Sequence, residues 1–191
     1  MFKKYILIIL FPVAVWASED EYVIDKSHFS LGFLVEHVGY AKTLGMFKDI
    51  DGSYIHDVTN KKINDIKIVI KTSSVFTNDE KRDEHLMSPD FLYVEKYPEM
   101  VFEATDIKID DNESIINGNL TLLGITKPLT LTGKINKIGK YPFGGIIKPY
   151  VMGISARGTI KRSDHAMMYA IKDNLVGDEI DLIIEFEARR Q

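Results

Sequence analysis

The chain of 191 residues carries 24 Lys and Arg against 28 Asp and Glu, a net charge of −4, and has no cysteine. The acidic balance argues against broad nucleic-acid binding, which needs a basic footprint. The lack of thiols excludes disulfides, thiolate nucleophiles and cysteine-based metal sites, so stability must come from a sizeable apolar core, which one domain of this length can build.

Residues 1–17 read as a cleaved secretory signal peptide. Lys3 and Lys4 precede an apolar run from Tyr5 to Val15, and Val15-Trp16-Ala17 ends in small-residue cleavage style. The run is about eleven residues and contains Pro12, whereas a spanning helix needs ~20. With no cysteine after it, a lipid-anchored lipoprotein is excluded. Cleavage after Ala17 leaves 18–191 as a single domain of 174 residues with net charge −6.

Tyr22-Val23-Ile24-Asp25 is a short lead-in. Phe29, Leu31, Phe33, Val35 and His37 then alternate with His28, Ser30, Gly32, Leu34 and Glu36, a strand with one buried face. Gly39 and Gly45 bracket a flexible connection, and Asp51-Gly52 is a turn or bulge signal inside Met46–His56. Ile66, Ile68 and Ile70 mark another half-buried strand.

From Thr77 to Pro98 the alternation stops. Thr77 is placed as an N-cap with Glu80 three residues on, a capping box, and helical turns follow through about Met87. Ser88-Pro89 offers a second start, giving one short helical segment at about 77–93. Its apolar residues Leu86, Met87, Phe91, Leu92 and Tyr93 must cover something in an otherwise charged stretch, either as plugs of the core or as the mouth of a barrel.

Met100, Phe102 and Ala104 resume the alternation. Gly118–Gly133 reads as a hairpin with Leu120 and Leu122 facing Leu129 and Leu131, and with Pro128 at the turn or an edge. Lys140–Pro149 is a loop rich in Gly and Pro. Tyr150–Lys161 alternates weakly, and Ile180, Leu182, Ile184 and Phe186 form the cleanest period-two run. About eight strands with one helical interruption predict an all-β fold, an antiparallel barrel or sandwich.

Motifs for chemistry are sparse. The five histidines His28, His37, His56, His85 and His165 show no metal-ligand pair spacing, and no Gly-x-Ser-x-Gly elbow or phosphate loop occurs. No metal site, catalytic residue or required cofactor is therefore assigned. What remains is the interior formed by Phe29, Leu31, Phe33, Val35, Phe47, Phe102, Leu120, Leu122, Ile184 and Phe186. An eight-stranded barrel is either filled solid or holds one small ligand, and strand patterns alone do not choose. Two features favour a cavity: the apolar segment that carries Arg82, Asp83 and His85, and the adaptable Met167-Met168 pair.

The ordered stretches Tyr22-Val-Ile-Asp-Lys-Ser-His28, Leu31-x-Phe33-x-Val35-x-His37, Gly45-x-Phe47 with Gly52, Thr77 followed by Arg82-Asp83-x-His85-Leu86, Asp90-Phe91 with Tyr97-Pro98, Phe102, Gly118-x-Leu120-Thr-Leu122-x-Gly124-Ile-Thr-Lys-Pro128, and Arg162 with Val176-Gly-Asp178 carry a resemblance. The chain resembles the YceI-like family of exported bacterial proteins, also described as polyisoprenoid-binding. The resemblance implies an eight-stranded, lipocalin-like antiparallel barrel in the periplasm, frequently a homodimer. It also implies an isoprenoid quinone, polyprenyl lipid or fatty amide held in the core; transient contact with a membrane surface is a separate expectation for such a carrier. Beside Phe29, Leu31, Leu86, Leu120 and Met167, candidate tunnel residues from the alternation and the apolar segments, the resemblance makes Phe33, Val35, Phe47, Phe91 and Phe102 candidate tunnel residues and Arg82, Asp83, His85 and Arg162 the candidate polar end. The expected activity is non-covalent lipid carriage rather than catalysis. A lipid-modifying enzyme and a stress-related interaction module without ligand are the alternatives. One departure stands out: after Arg162 the family has an acidic residue and then Phe-Gly, where this chain reads Ser163-Asp164-His165-Ala166-Met167.

Overall fold

The structure, a computed structural model, describes residues 19–105, 107–110 and 112–191, so the signal-peptide reading of 1–17 lies outside the described residues. The strands are β1 (Glu19–His37), β2 (Ala41–Phe47), β3 (Ile50–Asp57), β4 (Lys62–Lys71), β5 (Val75–Phe76), β6 (Glu99–Ala104), β7 (Ile107–Lys108), β8 (Ser114–Leu122), β9 (Ile125–Lys140), β10 (Tyr150–Lys161) and β11 (Val176–Arg190). Eight of them close an antiparallel ring in the order β1-β3-β4-β6-β8-β9-β10-β11, with β11 returning to β1. The short β2, β5 and β7 extend this wall. β2 and β3 act as one bent strand, since Leu31–His37 of β1 pairs with β2 while Glu19–Val23 pairs with β3.

The lead-in and the first alternating run are thus one strand of 19 residues. They look separate in sequence because a bulge between Ile24 and Phe29 shifts the alternation by one, so even-numbered Tyr22 and Ile24 and odd-numbered Leu31 and Phe33 all turn inward. Gly45 is not a flexible hinge. It lies in β2 opposite Phe33, whose ring occupies the space that a Cβ would need, 2.1 Å away. Asp51-Gly52 lies inside β3, and the irregularity falls one step later, between Ser53 and Ile55.

The β8–β9 hairpin turns at Leu123 and Gly124, both with positive φ (52° and 71°), as a two-residue type I′ turn demands. This sets Leu120 opposite Lys127 and Gly118 opposite Leu129. The four leucines do share the buried face, but four residues out of the register expected from the repeat, since Leu122 pairs with Ile125 and not with Leu129. Pro128 is a strand residue opposite Asn119, beyond the last β9–β10 pair at Thr132 and Arg157, so its missing N–H breaks no ladder on that side.

The only α-helix among the described residues, α1, spans Glu80–Met87. Residues 88–97 continue as turns rather than helix, which shortens the expected 77–93 segment. The N-cap is Asp79, which accepts from the Arg82 N–H, and not Thr77. Thr77 is buried and its hydroxyl is already committed: it donates to Asp83 Oδ1 (2.5 Å) and accepts from Arg82 Nε (2.7 Å). Among the described residues no helix is long and apolar enough to cross a membrane.

Candidate functional site

The inward side chains do not meet at the barrel axis. They enclose a cavity of about 680 Å³, within the range of roughly 300–1,000 Å³ typical of small-molecule sites. One end is sealed. Tyr22 and Tyr54 stack face to face (centroids 5.5 Å apart, planes 2° from parallel), Tyr54 Oη donates to Met152 Sδ at 3.3 Å, and Tyr22, Met152 and Ala188 have no solvent exposure. Tyr54 is the part of this floor that faces the cavity.

The other end is the α1 end. Here the wall includes Glu36, His37, Lys81, Arg82 and His85, all exposed to solvent, so the cavity has a charged mouth. An aromatic trio stands in that mouth. The His85 ring meets Phe91 and Tyr169 edge-on at 5.0 and 4.9 Å, and Phe91 and Tyr169 lie 5.1 Å apart. His85 Nε2 pairs with Asp90 Oδ2 at 3.0 Å, which fixes the ring. Between floor and mouth the surface is aliphatic and aromatic, the environment that a hydrocarbon chain prefers to water.

Of the candidate tunnel residues, Leu31, Phe33, Val35, Phe47, Leu86, Phe91, Phe102, Leu120 and Met167 line the cavity. Phe29 does not. It pairs with Phe186 at the β1 bulge and packs against the core as a partly buried residue. The polar candidates divide by what already holds them. Asp83 is outside the lining, its carboxylate occupied by the Thr77 N–H (2.8 Å) and hydroxyl. Arg82 reaches the cavity wall but spends Nε on the Thr77 hydroxyl and Nη2 on the Thr77 carbonyl (2.6 Å). Together the two residues staple α1 to the end of β5.

Arg162 is 2 % exposed and donates to four carbonyls: Gly177 and Val176 at 2.8 Å, Tyr169 at 3.2 Å and Met167 at 3.4 Å. Its guanidinium lies 5.8 Å from the centre of the Phe91 ring. Burial pulls its pKa down and Asp178 offsets part of that. A fork with one N–H left over is a clamp on the 163–177 segment, and it leaves the His85 imidazole and the Lys81 ammonium among the polar groups at the mouth.

Sequence reasoning missed Tyr169, which completes the trio, and Tyr54, which makes the floor. Tyr169 sits in a segment with no periodicity, and Tyr54 lies past the Asp-Gly pair that masks β3. The departure at Ser163–Met167 is accommodated locally. Ser163 gives its N–H and hydroxyl to Asp178 (2.8 and 2.7 Å), buried His165 donates from Nδ1 to the Ile125 carbonyl (3.0 Å), and Ala166 takes a left-handed conformation. Asp25, His28 and Glu187 are close enough to meet a cation, but Asp25 is already ion-paired with Arg189 at 2.6 Å.

The model of the YceI-like domain matches residues 22–188. This chain belongs to the YceI-like family. It is 41% identical to the protein YceI of Escherichia coli O157:H7 over 197 aligned positions, covering 99% of both chains. It is 38% identical to a UPF0312 protein of Pseudomonas aeruginosa, covering 92% of this chain and 90% of that one. Among solved structures, the Campylobacter jejuni YCEI protein shares 31% identity and a TM-score of 0.69, over 82% of this chain and 90% of that chain. A polyisoprenoid binding domain from Saccharophagus degradans, at 12% identity and TM-score 0.62 over 90% and 98% of the two chains, shares the fold. The family assignment and the closed eight-stranded barrel agree with the expectation drawn from the ordered motifs.

Proposed function

We propose that this YceI-like barrel is a carrier for one long-chain amphipathic lipid of the isoprenoid-quinone, polyprenyl or fatty-amide type, acting in the periplasm after removal of residues 1–17. The tail occupies the cavity with its end toward Tyr54, and the head lies at the mouth between His85, Tyr169 and Lys81. The observation that carries this reading is an apolar cavity sealed at one end and charged at the other, in a protein whose fold is shared with a polyisoprenoid binding domain. Burial of hydrocarbon contributes about 0.8 kcal/mol per CH₂, so ten buried carbons supply ample gross binding energy with no catalytic group. A few polar groups at one end suffice to orient the chain. His85 is paired with Asp90 and packed by two rings, an arrangement suited to a fixed hydrogen-bond partner for a head-group oxygen.

Purified protein extracted with organic solvent and analysed by mass spectrometry is expected to release a single class of long-chain lipid. The reading fails if no lipid is found and the stripped protein takes up neither added quinone nor fatty amide.

A further inference from the structure

The floor end of the barrel carries a feature that lipid carriage does not use. Between β9 and β10, residues 141–149 form a loop in which Phe143 (73 %), Ile146 (104 %) and Ile147 (88 %) are exposed. Gly144 and Gly145, at φ 116° and 72°, hold the turn that thrusts them outward. Three large apolar side chains on one solvent-facing tip need a partner.

Charge says which partner. From Ser114 to Ser163 the chain has eight Lys or Arg and no Asp or Glu, although the whole is net acidic. Lys137 and Lys140 precede the loop and Lys148 lies in it; all three are exposed and take part in no ion pair among the described residues. The base of the loop rests on His28, whose ring lies 6.3 Å from Tyr141, and the nearby Asp25 is ion-paired with Arg189 and hydrogen-bonded to the His28 ring. A second copy of the loop would bring lysines against lysines. A bilayer with anionic head groups instead attracts the lysines while the three apolar side chains enter its interface.

We propose that the 141–149 loop is a membrane-docking tip that inserts Phe143, Ile146 and Ile147 into an anionic lipid surface. Docking and lipid loading use opposite ends of the barrel, so either can be lost without the other.

The full chain has no cysteine, so a single environment-sensitive fluorophore can be attached at Ile146→Cys, with Glu84→Cys on α1 as the far-end control. On addition of phosphatidylglycerol vesicles the Ile146→Cys probe is expected to shift to the blue while the Glu84→Cys probe stays unchanged. The shift should be absent with phosphatidylcholine vesicles. It should also reverse at about 0.5 M salt, where charges are screened within a few ångströms. Lys140→Glu with Lys148→Glu should weaken vesicle affinity by at least about tenfold. An unshifted Ile146→Cys probe, an equal shift with neutral vesicles, or a shift that grows with protein concentration without vesicles, the mark of self-association, would each overturn the proposal.

Discussion

Ala166 occupies φ 59°, in the left-handed region that favours glycine. The left-handed conformation costs a residue with a Cβ about 1–2 kcal/mol. Replacement by glycine returns part of that as unfolded-chain entropy, about 0.4–1 kcal/mol. Ala166→Gly is therefore expected to stabilise the fold by about 0.5–1 kcal/mol in urea denaturation, and no gain would show that the segment relaxes another way. His56 tests a second residue. It is buried, its Nδ1 has no hydrogen-bond partner, and burial lowers its pKa below 6.5 against a smaller opposing pull from Asp20 and Asp57. The unfolded chain then binds the proton more readily than the folded one. Stability should be intact above the unfolded value of 6.5 and decline as pH falls below it. His56→Leu should flatten that slope without loss of stability at neutral pH, because it removes an unpaired buried nitrogen. A slope unchanged in His56→Leu would assign the pH dependence to other groups. Neither effect could be read from the sequence: a left-handed φ and an orphan nitrogen are properties of the packed chain.

At the scale of elements, what the sequence disclosed depended on whether an element is specified locally. β11 announces itself through Ile180, Leu182, Ile184 and Phe186 because every inward position is apolar. α1 was visible as a break in alternation, yet its cap was misplaced. Thr77 and Asp79 are both good caps by type, and only the fold shows that Thr77 is spent on Arg82 and Asp83. Arg162 was legible as a candidate and illegible in role, since its partners are the backbone carbonyls of residues 167, 169, 176 and 177. The staple between β5 and α1 gives an element-scale expectation. Asp83→Ala leaves the Thr77 N–H and hydroxyl without their acceptor, a loss of about 1–3 kcal/mol. α1 should loosen before the barrel does. Hydrogen exchange at the amides of 80–87 should accelerate while the β10 and β11 amides keep their protection. Uniform acceleration across the barrel would mean that α1 is not a separately held cover of the mouth.

The whole molecule behaves as a closed vessel of fixed depth, and this makes ligand length a measurable property of the fold. Interstrand pairing runs around the full ring, and the stack of Tyr22 on Tyr54, with Met152 behind it, forms an unexposed floor. A straight-chain ligand should gain about 0.8 kcal/mol for each CH₂ that enters, close to fourfold in affinity per carbon. The gain should stop when the tail reaches the floor, because further carbons must stay in water at the mouth. A plot of log Kd against chain length for a series of fatty amides should thus fall linearly and then flatten. Ala156, buried in the cavity wall on β10, sets a second test. Ala156→Trp fills space that the native chain leaves empty, so the barrel should melt at nearly the native temperature while the plateau moves to shorter chains. Affinity that does not depend on chain length, or a plateau that Ala156→Trp leaves in place, would mean that the bound tail lies somewhere other than this cavity.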